Sequence, residues 1–233
     1  MTTIVLVHGA FADSSSWNGV VERLTAEGHS VLAAANPLRG LDSDAAYIAS
    51  VLDTVDGPCV LAGHSYGGSV ITVAAQGKSQ VTALVYIAAF IPDIGESALE
   101  LTDKFPGSTL APTTRPADYP LPDGGTGTEL YIRPDEFPAQ FAADVLVGTA
   151  RLMAATQRPV ALTALQQPAT AAAWRTIPAY ALLTTDDKNI PIEAQRFMAE
   201  RAGADSVETT ASHAVSVSRP NEVAELIGRA ARR

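Results

Sequence analysis

Short runs of apolar, often β-branched residues recur along the chain, separated by longer stretches whose apolar positions fall three or four apart. The runs read as strands buried on both faces and the stretches as amphipathic helices, a pattern that predicts a mostly parallel sheet covered on both sides. The predicted strands are Thr3–Val7, Ser30–Ala34, Cys59–Ala62, Val81–Ala88, Ala179–Thr184 and Ser206–Thr209. Between the first two, "DSSSWNGVVERLTAEGH" supplies serine caps, helically spaced Trp17, Val20, Val21 and Leu24, and Gly28 as a stop. "SDAAYIASVLDTVDG" predicts a second crossover helix with Tyr47, Ile48, Val51, Leu52 and Val55 along one face. A third helix is expected to begin directly after "LAGH".

The alternation stops after Ala89, and about ninety residues pass before the next clear strand, too many for a structureless loop inside a compact domain. The reading is therefore a core of residues 1–91 and 177–233 with an inserted, partly helical cap over 92–176. Within the cap, "RPDEFPAQFAADVLVGTARLMAATQ" reads as helix. The Pro- and Gly-rich "APTTRPADYPLPDGGTGTEL" is expected to be its mobile edge, and the Ala-rich "PATAAAWRT" a helix or loop.

Composition narrows the class. Hydrophobic residues make up 47% of the 233 and charged residues 18%, enough to bury one sizeable core. A net charge of −9 repels phosphate backbones and anionic membranes, which argues against nucleic acid or a membrane surface as partner. The single Cys59 cannot form an internal disulfide, and the opening "MTTIVLVHGA" has neither a basic leader nor an apolar run long enough to span a bilayer. A cytoplasmic protein is expected from these features; a monomer or homodimer is expected, although no sequence feature decides between them.

Candidate chemistry centres on "GHSYG", a G-x-S-x-G stretch placed between a predicted strand and a predicted helix. A sharp strand-to-helix turn holds the serine in a strained conformation, and glycines two residues either side avoid collisions with neighbouring backbone. Ser65 is thereby presented at the carboxyl edge of the sheet, with a helix N-terminus behind it. A serine hydroxyl needs a base to attack a carbonyl.

Of four histidines, His29 reads as a surface turn residue, His64 as structural, and His8 as an organiser of the loop after the first strand. His213, on the loop after the last strand, is the candidate base. Its carboxylate partner comes from "TTDDKNIP": Asp187 is preferred to Asp186, with Asp93 a third candidate. The amides of Ala10, in "VLVHGAF", and of Tyr66, after the nucleophile, are candidate oxyanion donors. Phe11, Phe105, Tyr131, Phe137, Phe141, Leu146 and Met153 are candidate pocket residues, among which Phe11, Phe137, Phe141 and Met153 are the chosen set.

Through "VLVHGAF", "GHSYGG", "TTDDKNIP" and "ASHAV" the chain resembles the α/β-hydrolase-fold superfamily over nearly its whole length. The style is that of the compact esterase and hydroxynitrile-lyase branch. The resemblance implies a three-layer α/β fold with an inserted cap, no cofactor and no metal. It also implies two-step acyl transfer by Ser65, His213 and Asp187 on a small to medium apolar carboxylic ester. Cyanohydrin-cleaving relatives carry a lysine after the base and a threonine in the first oxyanion loop. This chain has Ala214 and Gly9 there, which weakens the lyase reading. A lyase-like or other cofactor-free reaction, or a small-molecule receptor, are the alternatives that the same fold allows.

Overall fold

The computed structural model describes residues 2–232; Met1 and Arg233, the outer ends of the two core segments, lie outside the described residues. Six parallel strands form the main sheet: β1 (Thr3–Val7), β2 (Ser30–Ala34), β3 (Cys59–His64), β4 (Val81–Ile87), β8 (Ala179–Thr184) and β9 (Asp205–Thr209). Their order across the sheet is β2-β1-β3-β4-β8-β9. All six lie where the sequence predicts them, three with the predicted ends and three with one end shifted by one or two residues. The fourth strand stops at Ile87 because Ala88 turns to a positive φ of 44°.

Alternation along the strands divides the core in two. Val5, Val7, Leu61 and Tyr86 face one side, with Leu41, Ile48 and Leu52 of α2 (Leu41–Leu52), Val70 of α3 (Tyr66–Ala74) and Met198 of α8 (Ile192–Arg201). Ile4, Leu6, Val60 and Val85 face the other, with Val20 and Leu24 of α1 (Asn18–Ala26) and Val223 and Ile227 of α9 (Pro220–Ala231). The three layers follow from period-2 strands meeting period-3.6 helices.

Two local details differ from expectation. The first helix is entered through a 3-10 turn, Ser14–Trp17, capped by Asp13 rather than by a serine, its Oδ1 accepting from the Ser15 amide at 2.7 Å. On α2, Tyr47 is exposed and Asp44 takes a buried place, because the apolar face is centred on Leu41, Ala45, Ile48 and Leu52.

Between β4 and β8 the chain leaves the main sheet. It forms short helices α4 (Ala98–Asp103), α5 (Phe137–Phe141), α6 (Val147–Thr156) and α7 (Leu162–Gln166). It also forms a second, antiparallel sheet of β5 (Thr114–Pro120), β6 (Thr126–Ile132) and β7 (Val160–Ala161). The Pro/Gly-rich tract expected to be a mobile edge is thus a hairpin in continuous register from Thr114↔Ile132 to Pro120↔Thr126. Its turn is closed by Leu121 donating to Gly125 O at 2.9 Å and by Gly124 at φ 85°. The helical stretch after it is split in two, since Leu146 at ψ 131° interrupts the helical backbone.

The small sheet is anchored to the core by Arg39, whose Nη1 meets Glu129 Oε2 at 2.6 Å and whose guanidinium lies 4.5 Å from the Tyr119 ring centroid. No helix among the described residues is long and apolar enough to cross a membrane.

Candidate active site

Ser65 joins β3 to α3 with φ 54° and ψ −124°, a conformation that costs a non-glycine residue about 1–3 kcal/mol and persists only where its surroundings enforce it. They do so by close approach: a Cβ on Gly63 would lie 2.5 Å from Gly67 O, and one on Gly67 would lie 2.4 Å from Val7 O. The Ser65 carbonyl accepts from the Gly68 and Phe90 amides, at 2.9 and 3.2 Å, which fixes the turn from the backbone side. Its Oγ makes no hydrogen bond with any described residue, and the side chain reaches the floor of a cavity of about 430 Å³.

His213 and Asp187 arrive from the loops after β9 and β8. His213 Nδ1 meets Asp187 Oδ2 at 2.7 Å, with the two side chains only 1% and 0% exposed. Asp187 Oδ2 also accepts from Thr184 Oγ1 and Gln195 Nε2, both at 3.1 Å, while Oδ1 accepts from the Asn189 and Ile190 amides at 2.7 and 3.0 Å. A carboxylate so surrounded by donors is held in one orientation.

The sequence alternatives to Asp187 are elsewhere. Asp186 is exposed, and Asp93 forms a 2.7 Å ion pair with Arg175.

The His213 loop is held on both sides. His64 Nε2 donates to His213 O at 2.8 Å, and the two imidazoles lie 4.7 Å apart. From the cap, Phe141 O accepts from the Ala214 amide at 3.0 Å, and Asp144 accepts from Ser212 Oγ. Burial and the neighbouring His213 hold the His64 imidazole well below its ordinary range, so it stays neutral.

Two candidate donor amides, of Ala10 and Tyr66, belong to the first loop and the elbow. Tyr66 is the first residue of α3, where a backbone N–H has no acceptor within the helix. The Ala10 amide has no acceptor among the described residues, and Ala10, Ser65 and Tyr66 line the same cavity. His8 and Asn36 set the loop: the Asn36 amide donates to His8 Nε2 at 3.0 Å and Asn36 Nδ2 to His8 O at 2.9 Å. His8 Nδ1 donates to Gly9 O at 2.9 Å. Gly9 is required there, because a Cβ would lie 2.6 Å from Ser65 Cβ.

Sequence reasoning missed a buried support below this edge. Tyr66 Oη donates to Asp44 Oδ2 at 2.9 Å, and the same carboxylate accepts from the Arg39 amide at 3.0 and 3.1 Å. Asp44 is fully buried, and its desolvation pushes the carboxyl above its ordinary range. Gln195 and Thr184 were missed for the same reason: each lies within an ordinary helix or strand pattern, and only the fold brings it to Asp187.

The pocket residues divide differently from the chosen set. Phe11 and Phe105 line the cavity. Phe137 and Phe141 are buried, stacked on each other at 4.9 Å, with the Phe141 edge against the His213 ring, so they pack behind His213 instead of facing the cavity. Met153 faces a second hollow, bordered by Phe11 and Thr149. Tyr131 donates to Glu129 Oε1 at 2.9 Å, and Leu146 is 82% exposed. Among the described residues, no group of three or more His, Cys, Asp or Glu side chains is placed to hold a metal ion.

Residues 4–226 match the profile of a family described as the alpha/beta hydrolase family. The chain belongs to that family. An alpha/beta hydrolase, nvfD, of Aspergillus novofumigatus (strain IBT 16806) is 30% identical over 184 residues, covering 74% of this chain and 69% of that protein. A carbendazim hydrolyzing esterase of Nocardioides sp. (strain SG-4G) is 32% identical over 117 residues, 45% of this chain; the match spans only about half of that enzyme, 48%.

Among solved structures, polyneuridine aldehyde esterase superposes with a TM-score of 0.86 at 22% identity, over 99% of both chains. A pyrethroid hydrolase superposes with a TM-score of 0.79 at 23% identity, over 100% of this chain and 98% of that one. At these identities the likeness is one of fold, and it establishes the α/β-hydrolase architecture expected from the motifs.

Proposed function

We propose that the protein is a serine hydrolase cleaving a small to medium, largely apolar carboxylic ester. The observation that carries this reading is the buried 2.7 Å pair of Asp187 and His213 beside a serine held at φ 54° on the floor of a cavity. Family membership and the esterases among the relatives support it.

In the proposed reaction His213 Nε2 takes the proton of Ser65 as its Oγ attacks the ester carbonyl. Asp187 holds the imidazole with Nδ1 protonated and stabilises the imidazolium that forms. The oxyanion lies against the Ala10 and Tyr66 amides. His213 then gives its proton to the departing alcohol, leaving an acyl ester on Ser65. Water attacks that ester with His213 again as base, the carboxylic acid leaves, and the proton returns to Ser65. The Ser65–His213 hydrogen bond is not formed in the free protein and is expected to close when substrate is held.

Crowding at Gly9 speaks against the lyase alternative, since a threonine there would overlap Ser65. A cytoplasmic setting fits Cys59, which is unpaired and whose thiol burial pushes up to about 11.

Steady-state hydrolysis of p-nitrophenyl acetate and butyrate tests the proposal. Ser65→Ala is expected to lower kcat by about 10⁴-fold or more while the protein stays folded. Wild-type rates in the folded variant would rule out this nucleophile.

A further inference from the structure

Beyond the ester-cleaving edge, the cavity wall carries one charged side chain among the described residues, that of Asp103. It is the last residue of α4, where outward-facing carbonyls disfavour a negative charge. Asp103 is exposed and makes no ion pair or hydrogen bond with any described residue. The nearest candidate cation in sequence, Lys104, is turned away over the Phe197 ring at 4.1 Å. An aspartate here is unfavourable for the helix, and no contact with a described residue offsets it, which is the pattern expected of a residue retained for a ligand.

The rest of the wall points the same way. Phe11, Phe90 and Phe105 contribute rings, whose faces carry negative potential, and no Lys, Arg or His reaches the lining. The chain as a whole carries −9, which adds a long-range attraction for cations.

We infer that the site takes esters bearing an alkylammonium group, held by Asp103 and the phenyl rings while the carbonyl lies at Ser65. The inference rests on the ester reading above and specifies its substrate class: an apolar body with one positive charge. An anionic ester meets an unfavourable carboxylate and ring faces, with no cation to offset them.

The test uses three acetate esters of similar size: the 2-(trimethylammonio)ethyl ester, its neutral carbon isostere 3,3-dimethylbutyl acetate, and the 2-sulfoethyl ester. Binding is measured calorimetrically on Ser65→Ala protein at low salt, and turnover on wild type. The ammonium ester is expected to bind about five- to tenfold more tightly than the neutral one, with the sulfonate weakest and the spread narrowing at high salt. Adding Asp103→Asn is expected to reduce the ammonium-to-neutral ratio to about twofold, the remainder coming from the rings.

Equal binding of the ammonium and neutral esters would overturn the inference even if both are turned over. So would a ratio untouched by Asp103→Asn. Binding in the expected order without Ser65-dependent turnover would uphold the charge preference and overturn the hydrolase reading.

Discussion

Asp187 illustrates how a single residue's role depends on its contacts. Its neighbour Asp186 has the same chemistry but is exposed, while Asp187 turns inward to His213 and four further donors. Replacing it with asparagine sets an amide N–H₂ against some of those donors and loosens the His213 tautomer. Asp187→Asn is therefore expected to lower kcat by about 10³- to 10⁴-fold with little change in KM, measured by ester hydrolysis at saturation. A loss below tenfold would mean that Asp187 does not orient the base. Ser65 and His213 were legible in the sequence because a motif and chain order mark them. Adjacent aspartates look alike in sequence, so only their contacts separate Asp187 from Asp186, and Asp44, Thr184 and Gln195 were silent because a buried polar residue leaves no periodic trace.

At the scale of elements, the elbow is a packing problem solved by small residues. Its prediction concerns Gly67, whose added methyl would press on the Val7 carbonyl, backbone that cannot rotate away. Gly67→Ala is expected to destabilise the fold by about 1–3 kcal/mol in urea denaturation and to displace Ser65. Unchanged stability and turnover would show that β1 and α3 can separate freely. Five of the six core strands were legible as compact apolar runs between turn signals, while β9, the exposed edge strand Asp205–Thr209, carries a single apolar residue, Val207. The cap hairpin was not, although Pro122-Asp123-Gly124 marks its turn. Its strands are half-exposed and β5 carries two prolines, Pro116 and Pro120, so the alternation is weak, and composition suggested mobility.

For the molecule as a whole, acid stability follows from histidines that the fold keeps neutral. Burial lowers the His8 imidazole from 6.5 to about 4, so between those values the unfolded chain binds more protons than the folded one. Stability therefore rises with pH in that window. The His8 contribution is complete above 6.5 and lost as pH falls through 4, a change of about 3 kcal/mol; His64 acts in the same direction. Urea melts between pH 7 and 4 are expected to show a shallower slope for His8→Gln than for wild type, and parallel slopes would contradict this.

The central claim is a covalent acyl-enzyme on Ser65, and the most direct measurement is intact mass of a p-nitrophenyl butyrate reaction quenched in acid, followed by peptide mapping. A butyryl adduct is expected on the peptide containing Ser65, and none in Ser65→Ala. Turnover without any adduct in wild type under rapid quenching, or an adduct on another residue that persists in the variant, would contradict it.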